Sequence, residues 1–189
     1  MYRKHFLNKA LLVLLASNGL VIFASAMLGP IYALFVREVG GSLFDASLTG
    51  GMFSLAAGIT TLVSGRYADK LKESEYLLVL GNFVLGISFL LYIFVNSMFE
   101  LLLVQALAGF ADAIYYPAYD ALFSRHLFRR GEGRAWGTWE AMFNILTAAG
   151  AIVGGALVTL FGFNSVFLLM ATLSFISGVY IWIQPRKLL

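Results

Sequence analysis

The sequence predicts an all-α membrane protein: six transmembrane helices in a half bundle, with both termini in the cytoplasm. Hydrophobic residues make up 60% of the 189 residues and charged residues only 12%, whereas soluble proteins carry about 25% charged residues. Of the 13 lysines and arginines, only Arg37 falls outside the two terminal segments and the second and fourth connections. Because short loops rich in Lys and Arg stay in the cytoplasm, this distribution places both ends inside.

Six apolar runs are long enough to cross a bilayer, which takes about 20 helical residues. They lie at about 8–36, 46–66, 76–95, 98–124, 134–160 and 164–183, and they form a single bundle over 1–189. Gly29-Pro30 lies inside the first run and should bend it. That run continues past Ala24-Ser25-Ala26, so we expect a retained first span rather than a cleaved signal peptide.

The composition argues against several classes of function. The chain has no cysteine, and His5 and His126 lie in separate segments, so we expect no metal site and no cofactor. The glycine-rich stretches lie inside apolar runs and lack the Lys-Ser/Thr that phosphate binding requires. No folded soluble module offers a basic face to nucleic acid. The chain is therefore not expected to be an enzyme or to bind nucleic acid.

Asp112 is the main candidate for a functional side chain. It lies about 13 residues from either end of the fourth run, roughly 20 Å at 1.5 Å per residue, and hence near the membrane midplane. A charge there costs about 2.5–3.5 kcal/mol on insertion scales. Because a low dielectric favours the protonated carboxyl, we predict a proton or cation site. The alternative is a structural aspartate hydrogen-bonded to neighbouring Tyr or Asn side chains.

Polar residues recur on one face of three runs, at helical steps of three and four. These faces cannot meet lipid cheaply, so we expect them to face one another or a water-filled cavity. Glu140 has two open interpretations, a local ion pair near the cytoplasmic side or a cavity role, whereas Asp120 favours a structural pair. Trp136 and Trp139 can each stack on a substrate or anchor the interface. The predicted substrate or proton site comprises Asn18, Asp112, Tyr115, Tyr116, Trp136, Glu140 and Asn144.

Small residues form two further stripes. Gly58 lies in a stripe of the second run with Ser54, Thr61 and Gly65, and Gly150 and Gly154 form a GxxxG in the fifth. Such stripes permit close helix packing. The alternative interpretation is a sliding surface between moving halves.

The segment after the second run, Gly65-Arg-Tyr-Ala-Asp69-Lys70-Leu-Lys72, resembles the loop signature of the major facilitator superfamily, G-x-x-x-D-R/K-x-G-R-R/K. Gly65, Asp69 and Lys70 match, but Lys72 replaces the second Gly and Glu73 a basic residue. The resemblance implies a cytoplasmic latch that stabilises the outward-facing state, and we assign Asp120 to the same inner-face group. Gly150 to Gly155 is similar to the family's antiporter motif without its proline.

The resemblance implies that helices 1, 2, 4 and 5 line a cavity and that helices 3 and 6 lie outside. The family normally has twelve helices, in two parallel halves. We therefore expect a parallel homodimer, or else the truncated half of a twelve-helix protein. The expected function is secondary transport of a small solute by alternating access, driven by protons or by the substrate gradient. The alternative is a non-transporting scaffold or partner-binding subunit.

The expected setting and substrate follow from the same residues. The polar stripes carry acids and aromatics but no midplane Lys or Arg, which favours cationic or amphipathic solutes over organic anions. The lipid bilayer is the other expected partner. The expected location is the inner membrane of a prokaryote.

Overall fold

The structure, a computed structural model, describes residues 7–70, 74–128, 131–185 and 188–189, without the side chains of 67–70. The first span is divided at Gly29-Pro30, where a 3-10 turn, Gly29–Ile31, joins two α-helices. No helix end departs from its predicted position by more than four residues. The helices are α1 (Lys9–Leu28), α2 (Tyr32–Glu38), α3 (Leu43–Lys70), α4 (Glu75–Leu91, extended by a 3-10 turn at Tyr92–Phe94), α5 (Met98–Arg125), α6 (Glu132–Phe161) and α7 (Phe163–Trp182).

Local sequence signals define several helix ends. The Asn8 side chain caps α1 by accepting a hydrogen bond from the Leu11 amide at 2.8 Å, and Ser97 caps α5 in the same way. A single residue, Gly162, separates α6 from α7 with φ 77°, a left-handed conformation that glycine adopts without steric cost. The helices therefore end where cap and turn residues occur, and the chain reverses direction between α6 and α7.

Both described termini lie at the same end of the bundle, since Gln184 and Leu189 line a pocket with Glu75 and Tyr76 at the start of α4. Asn8 Nδ2 donates to the His126 carbonyl at 3.0 Å, which joins the start of α1 to the end of α5. Arg125 donates to Ser74 Oγ at 3.3 Å, which adds the start of α4. We call this end the basic end, since Lys9, Arg66, Arg125 and Arg134 lie towards it. Which side of the membrane it faces remains a prediction from the positive-inside rule.

The helices form an open arc rather than a closed ring. α3 packs on α5, α5 on α4, α4 on α7, α7 on α1 and α1 on α6, so α3 and α6 form the two ends of the arc. Glycines allow the closest approaches: an added Cβ at Gly109 would meet the Phe53 carbonyl of α3, and one at Gly150 would lie 2.6 Å from the Phe23 carbonyl of α1. Gly154 meets the Met27 carbonyl of α1 in the same manner. Small residues thus bring these backbones together.

The two ends of the arc are largely uncovered. In the most apolar stretch of α3 only 6% of residues are buried, and in that of α6 11%, against 67% in the first span. Gly58 lies on the uncovered face of α3, where an added Cβ would meet nothing within 4 Å. The packing contact expected of Gly58 is therefore not found within the described chain, because no helix of this chain lies against that face.

Candidate functional site

A cavity of about 240 Å³ opens between the helices of the arc. Asp112, Tyr116 and Gln105 of α5 line it, together with Tyr32 of α2 and Ser25 of α1. The rest of its lining is aromatic or aliphatic, as in Phe53, Leu85, Phe89, Tyr92 and Met170. The first, second and fourth spans (α1 with α2, α3 and α5) line the cavity as expected. The fifth span, α6, contributes none of the described lining residues. α4 and α7 close the back of the cavity instead, because they pack directly behind α5 and α1.

Asp112 lies partly exposed in this cavity. Among the described residues no hydrogen-bond or ion-pair partner is found for its carboxylate, so the structural alternative, an aspartate bonded to nearby Tyr or Asn, has no support there. Tyr116, one helical turn further on, lies in the same wall and is also partly exposed. The two side chains form a polar and aromatic strip on an otherwise mainly apolar surface.

Asn18 and Tyr115, which the stripes assign to the site, lie instead in a buried cluster behind the cavity. Asn18 is 0% exposed and Tyr115 2%. Asn18 Nδ2 donates to the Tyr115 hydroxyl at 3.2 Å, and Trp139 Nε1 donates to Asn18 Oδ1 at 2.8 Å. The predicted site omits Trp139, which the sequence indicates only as a stacking or interfacial residue. Trp139 shares a face of α6 with Met142, Leu146 and Gly150, which lie against α1. This spacing is the sequence feature that could have indicated its contact with α1.

Glu140 and Asn144 lie on the exposed face of α6 and do not line the cavity. They bond to each other: Asn144 Nδ2 donates to Glu140 Oε1 at 3.1 Å and to the Glu140 carbonyl at 2.9 Å. The structure therefore does not bring Glu140 together with Asp112 inside one chain, because the two side chains lie on different faces of the arc.

Trp136 closes an aromatic column between α5 and α6. Tyr115 stacks on Tyr119 at 5.8 Å, Tyr119 on Phe123 at 5.7 Å, and Phe123 meets Trp136 at 4.7 Å between ring centroids. Trp136 is thus a packing residue near the basic end rather than part of the cavity lining. Tyr116 touches the column edge-on, with its ring 5.3 Å from that of Tyr115.

The latch residues are only partly described. Gly65 lies near the end of α3, and an added Cβ there would meet nothing within 4 Å. Asp69 and Lys70 form the end of that helix, but their side chains, like residues 71–73, lie outside the described part of the chain. Asp120 is exposed, and no ion pair is found for it among the described residues.

Comparison with known proteins identifies the family of the chain. The sequence profile described as Major Facilitator Superfamily matches residues 14–188. The chain is 27% identical over 186 residues to "Multidrug resistance protein MdtG" of Salmonella schwarzengrund, covering 95% of this chain and 45% of that protein. It is 28% identical over 188 residues to the protein of the same name from Dickeya zeae, with the same two coverages. The chain thus spans about half the length of the curated relatives it matches.

Six helices of the described chain are long and apolar enough to cross a membrane, which makes the chain a multi-pass integral membrane protein. The family match and the names of the relatives point to a transporter rather than an enzyme. With 175 of its residues inside the matched range, the chain belongs to the major facilitator superfamily.

Proposed function

We propose that this chain is one half of a secondary transporter that moves a small solute by alternating access, with Asp112 as its central binding group. The observation that carries the proposal is the position of Asp112. Its carboxylate lies in a cavity half-way along a spanning helix, and among the described residues it has no partner. A charge at this depth is costly unless it serves a function. A proton or a cationic solute supplies the missing partner.

The cavity lining favours a cationic, amphipathic solute. Among the described residues of the lining, Asp112 is the only one with a charged side chain, and Tyr32, Tyr92 and Tyr116 line the same cavity. Aromatic faces attract cations, and a carboxylate supplies the counter-charge. The relatives are named multidrug resistance proteins, and a lipophilic cation such as tetraphenylphosphonium is accordingly the first solute to test. The expected setting is a bacterial inner membrane.

The open arc supports the proposal that a second half covers α3 and α6. α3 and α6 expose Gly58, Glu140 and Asn144 within membrane-spanning segments. Glu140 lies about 12 Å along the helix from the start of α6, at 1.5 Å per residue, where contact with lipid is unfavourable. A copy of this chain related by a twofold axis along the membrane normal brings α3 of one chain against α6 of the other and closes the arc. Each chain then contributes one Asp112 to a shared cavity.

The test is thermal stabilisation of the purified chain by tetraphenylphosphonium. A ligand that binds only the folded state raises the apparent Tm. We expect the wild-type chain and Glu100→Gln to be stabilised and Asp112→Asn not to be. Glu100 is the matched control, because it is a carboxylate of the same helix that lies outside the cavity. It accepts a hydrogen bond from the Asn96 backbone N–H. Equal stabilisation of all three proteins would exclude Asp112 as the binding group.

A second candidate function is a non-transporting scaffold that binds a membrane partner. The uncovered faces of α3 and α6 favour it, as do Lys72 and Glu73, which depart from the family's loop signature. A scaffold has no need of a solute in its cavity. If no lipophilic cation stabilises the wild-type chain, the scaffold becomes the better account.

A further inference from the structure

Asn18 lies midway along α1, and its amide joins three helices. It is completely buried in α1. Its Nδ2 donates to the Tyr115 hydroxyl of α5 at 3.2 Å, and its Oδ1 accepts from the Trp139 indole of α6 at 2.8 Å. These contacts join α1 to two helices that it meets at different places along the arc.

A buried amide is not needed to hold these helices together. Gly150 and Gly154 already bring α6 against the backbone of α1. An apolar side chain at position 18 would leave the Tyr115 hydroxyl and the Trp139 indole without their amide partner. A buried hydrogen-bonded network instead fixes the orientation of the side chains that take part in it. The orientation of the Tyr115 and Trp139 rings is therefore what Asn18 determines.

Tyr115 connects this cluster to the cavity. Its ring meets that of Tyr116 edge-on, with centroids 5.3 Å apart and planes at 89°. Tyr116 lines the cavity together with Asp112, which lies one turn before it on α5. Asn18 holds the Tyr115 hydroxyl, the Tyr115 ring supports Tyr116, and Tyr116 shapes the wall beside the carboxylate. On the other side, Trp139 is the residue directly before Glu140.

We propose that Asn18 is a positioning residue of the solute site: by holding Tyr115 and Trp139 it sets the cavity wall formed by Tyr116 and Asp112 and links that wall to α6. It does not touch the solute. The inference rests on the proposed transport function for its biological meaning. Its structural content, control of the surroundings of Asp112 through Tyr115, can be tested without any solute.

The first test is the rate at which dicyclohexylcarbodiimide modifies Asp112, followed by mass spectrometry of the peptide that contains it. This reagent reacts best with carboxyl groups in apolar, water-poor surroundings. In Asn18→Leu and Tyr115→Phe we expect modification to slow by about 2- to 13-fold, because a wall no longer held by Asn18 admits water beside Asp112 and one hydrogen bond contributes about 0.5–1.5 kcal/mol. Tyr115→Phe keeps the ring and removes only the hydroxyl, so it tests the inference even if Asn18→Leu fails to fold.

Two controls separate positioning from simple loss of stability. Ser174→Ala removes a fully buried serine that bonds only its own helix, through Met170 O at 3.0 Å, and should leave modification of Asp112 at the wild-type rate. The double variant Asn18→Leu with Tyr115→Phe should react no more slowly than Asn18→Leu alone, because Tyr115→Phe removes one of the two contacts that Asn18→Leu removes. Additive slowing, or equal slowing in Ser174→Ala, would overturn the positioning role.

Binding of tetraphenylphosphonium separates this inference from the proposed function. If the wild-type chain binds the cation, Tyr115→Phe should weaken binding while its Tm stays close to that of Ser174→Ala. If the wild-type chain binds no cation but modification of Asp112 still slows in Tyr115→Phe, the transport proposal fails and the positioning role stands. Wild-type modification rates and affinity in both Asn18→Leu and Tyr115→Phe would refute the positioning role.

Discussion

At the scale of single residues, Asp112 and Glu140 are two acids in spanning helices that have different surroundings. Asp112 points into the cavity without a partner among the described residues, whereas Glu140 lies on the outer face of α6 and holds Asn144. The sequence predicts both as polar exceptions inside apolar runs. It does not determine which face of a helix meets a cavity, because that depends on the neighbouring helices. Asp112 is consequently the better candidate for solute binding by a single chain.

Tyr116 provides a prediction at this scale. If its ring faces the bound cation, Tyr116→Leu should weaken tetraphenylphosphonium binding by about 2- to 30-fold, the range that a loss of about 0.5–2 kcal/mol of cation–π attraction implies. Tyr116→Phe keeps the ring and should bind almost as well as the wild type. The measurement is an equilibrium binding titration in detergent. Tyr180→Leu is the matched control, since Tyr180 lies on an outer groove of α7. An unchanged affinity in Tyr116→Leu would remove Tyr116 from the site.

At the scale of helices, the sequence predicts the elements well and their partners poorly. Continuous apolar runs bounded by Ser97, Gly162 and charged residues are enough to locate the spans. The small-residue stripes of α3 and α6 follow the same pattern, yet Gly154 lies against the backbone of α1 and Gly58 faces outwards. Tryptophan is typical of interfacial anchors, but Trp139 donates a hydrogen bond to the Asn18 amide oxygen. Spacing identifies which residues share a face, and only tertiary packing decides what that face meets.

The two glycines make a matched pair for a stability test. Gly154→Leu places a large side chain where an added Cβ already meets the Met27 carbonyl, so it should destabilise the fold by about 1–3 kcal/mol, as overpacking of a core does. Gly58→Leu meets nothing within 4 Å in the same chain and should leave the stability of the monomer unchanged. Denaturant unfolding of the monomer in mixed micelles measures both. A similar loss for both variants would mean that the exposed face of α3 packs inside the chain.

At the scale of the whole molecule, the described chain is an arc in which the two end helices, α3 and α6, are each covered on one side and largely exposed on the other. Both termini lie at the basic end, so a second copy can pair with the first in parallel across a twofold axis. The sequence predicts this arrangement through its even number of spans and its charge distribution. It could not predict that α6 turns its polar pair away from the cavity of its own chain. Because of that finding, we assign Glu140 to the surface that a second half would cover and no longer to the solute site of its own chain.

Parallel pairing can be tested by cross-linking, because the sequence contains no cysteine. Thr61 of α3 and Ala141 of α6 each lie nine residues from the basic end of their helix, on the exposed side. In a parallel dimer Thr61→Cys on one chain and Ala141→Cys on the other should lie at equal depth and cross-link when oxidised in membranes. Gly51→Cys lies near the opposite end of α3 and should not react with Ala141→Cys. The reverse pattern would indicate an antiparallel pair.

The central claim is that Asp112 is the group on which solute movement depends. The most direct measurement is uptake of radiolabelled tetraphenylphosphonium by vesicles reconstituted with the full chain, with an imposed pH difference. We predict uptake by the wild-type chain and by Glu100→Gln, and uptake at the level of empty vesicles for Asp112→Asn with the same amount of folded protein. Uptake by Asp112→Asn at the wild-type rate would contradict the account.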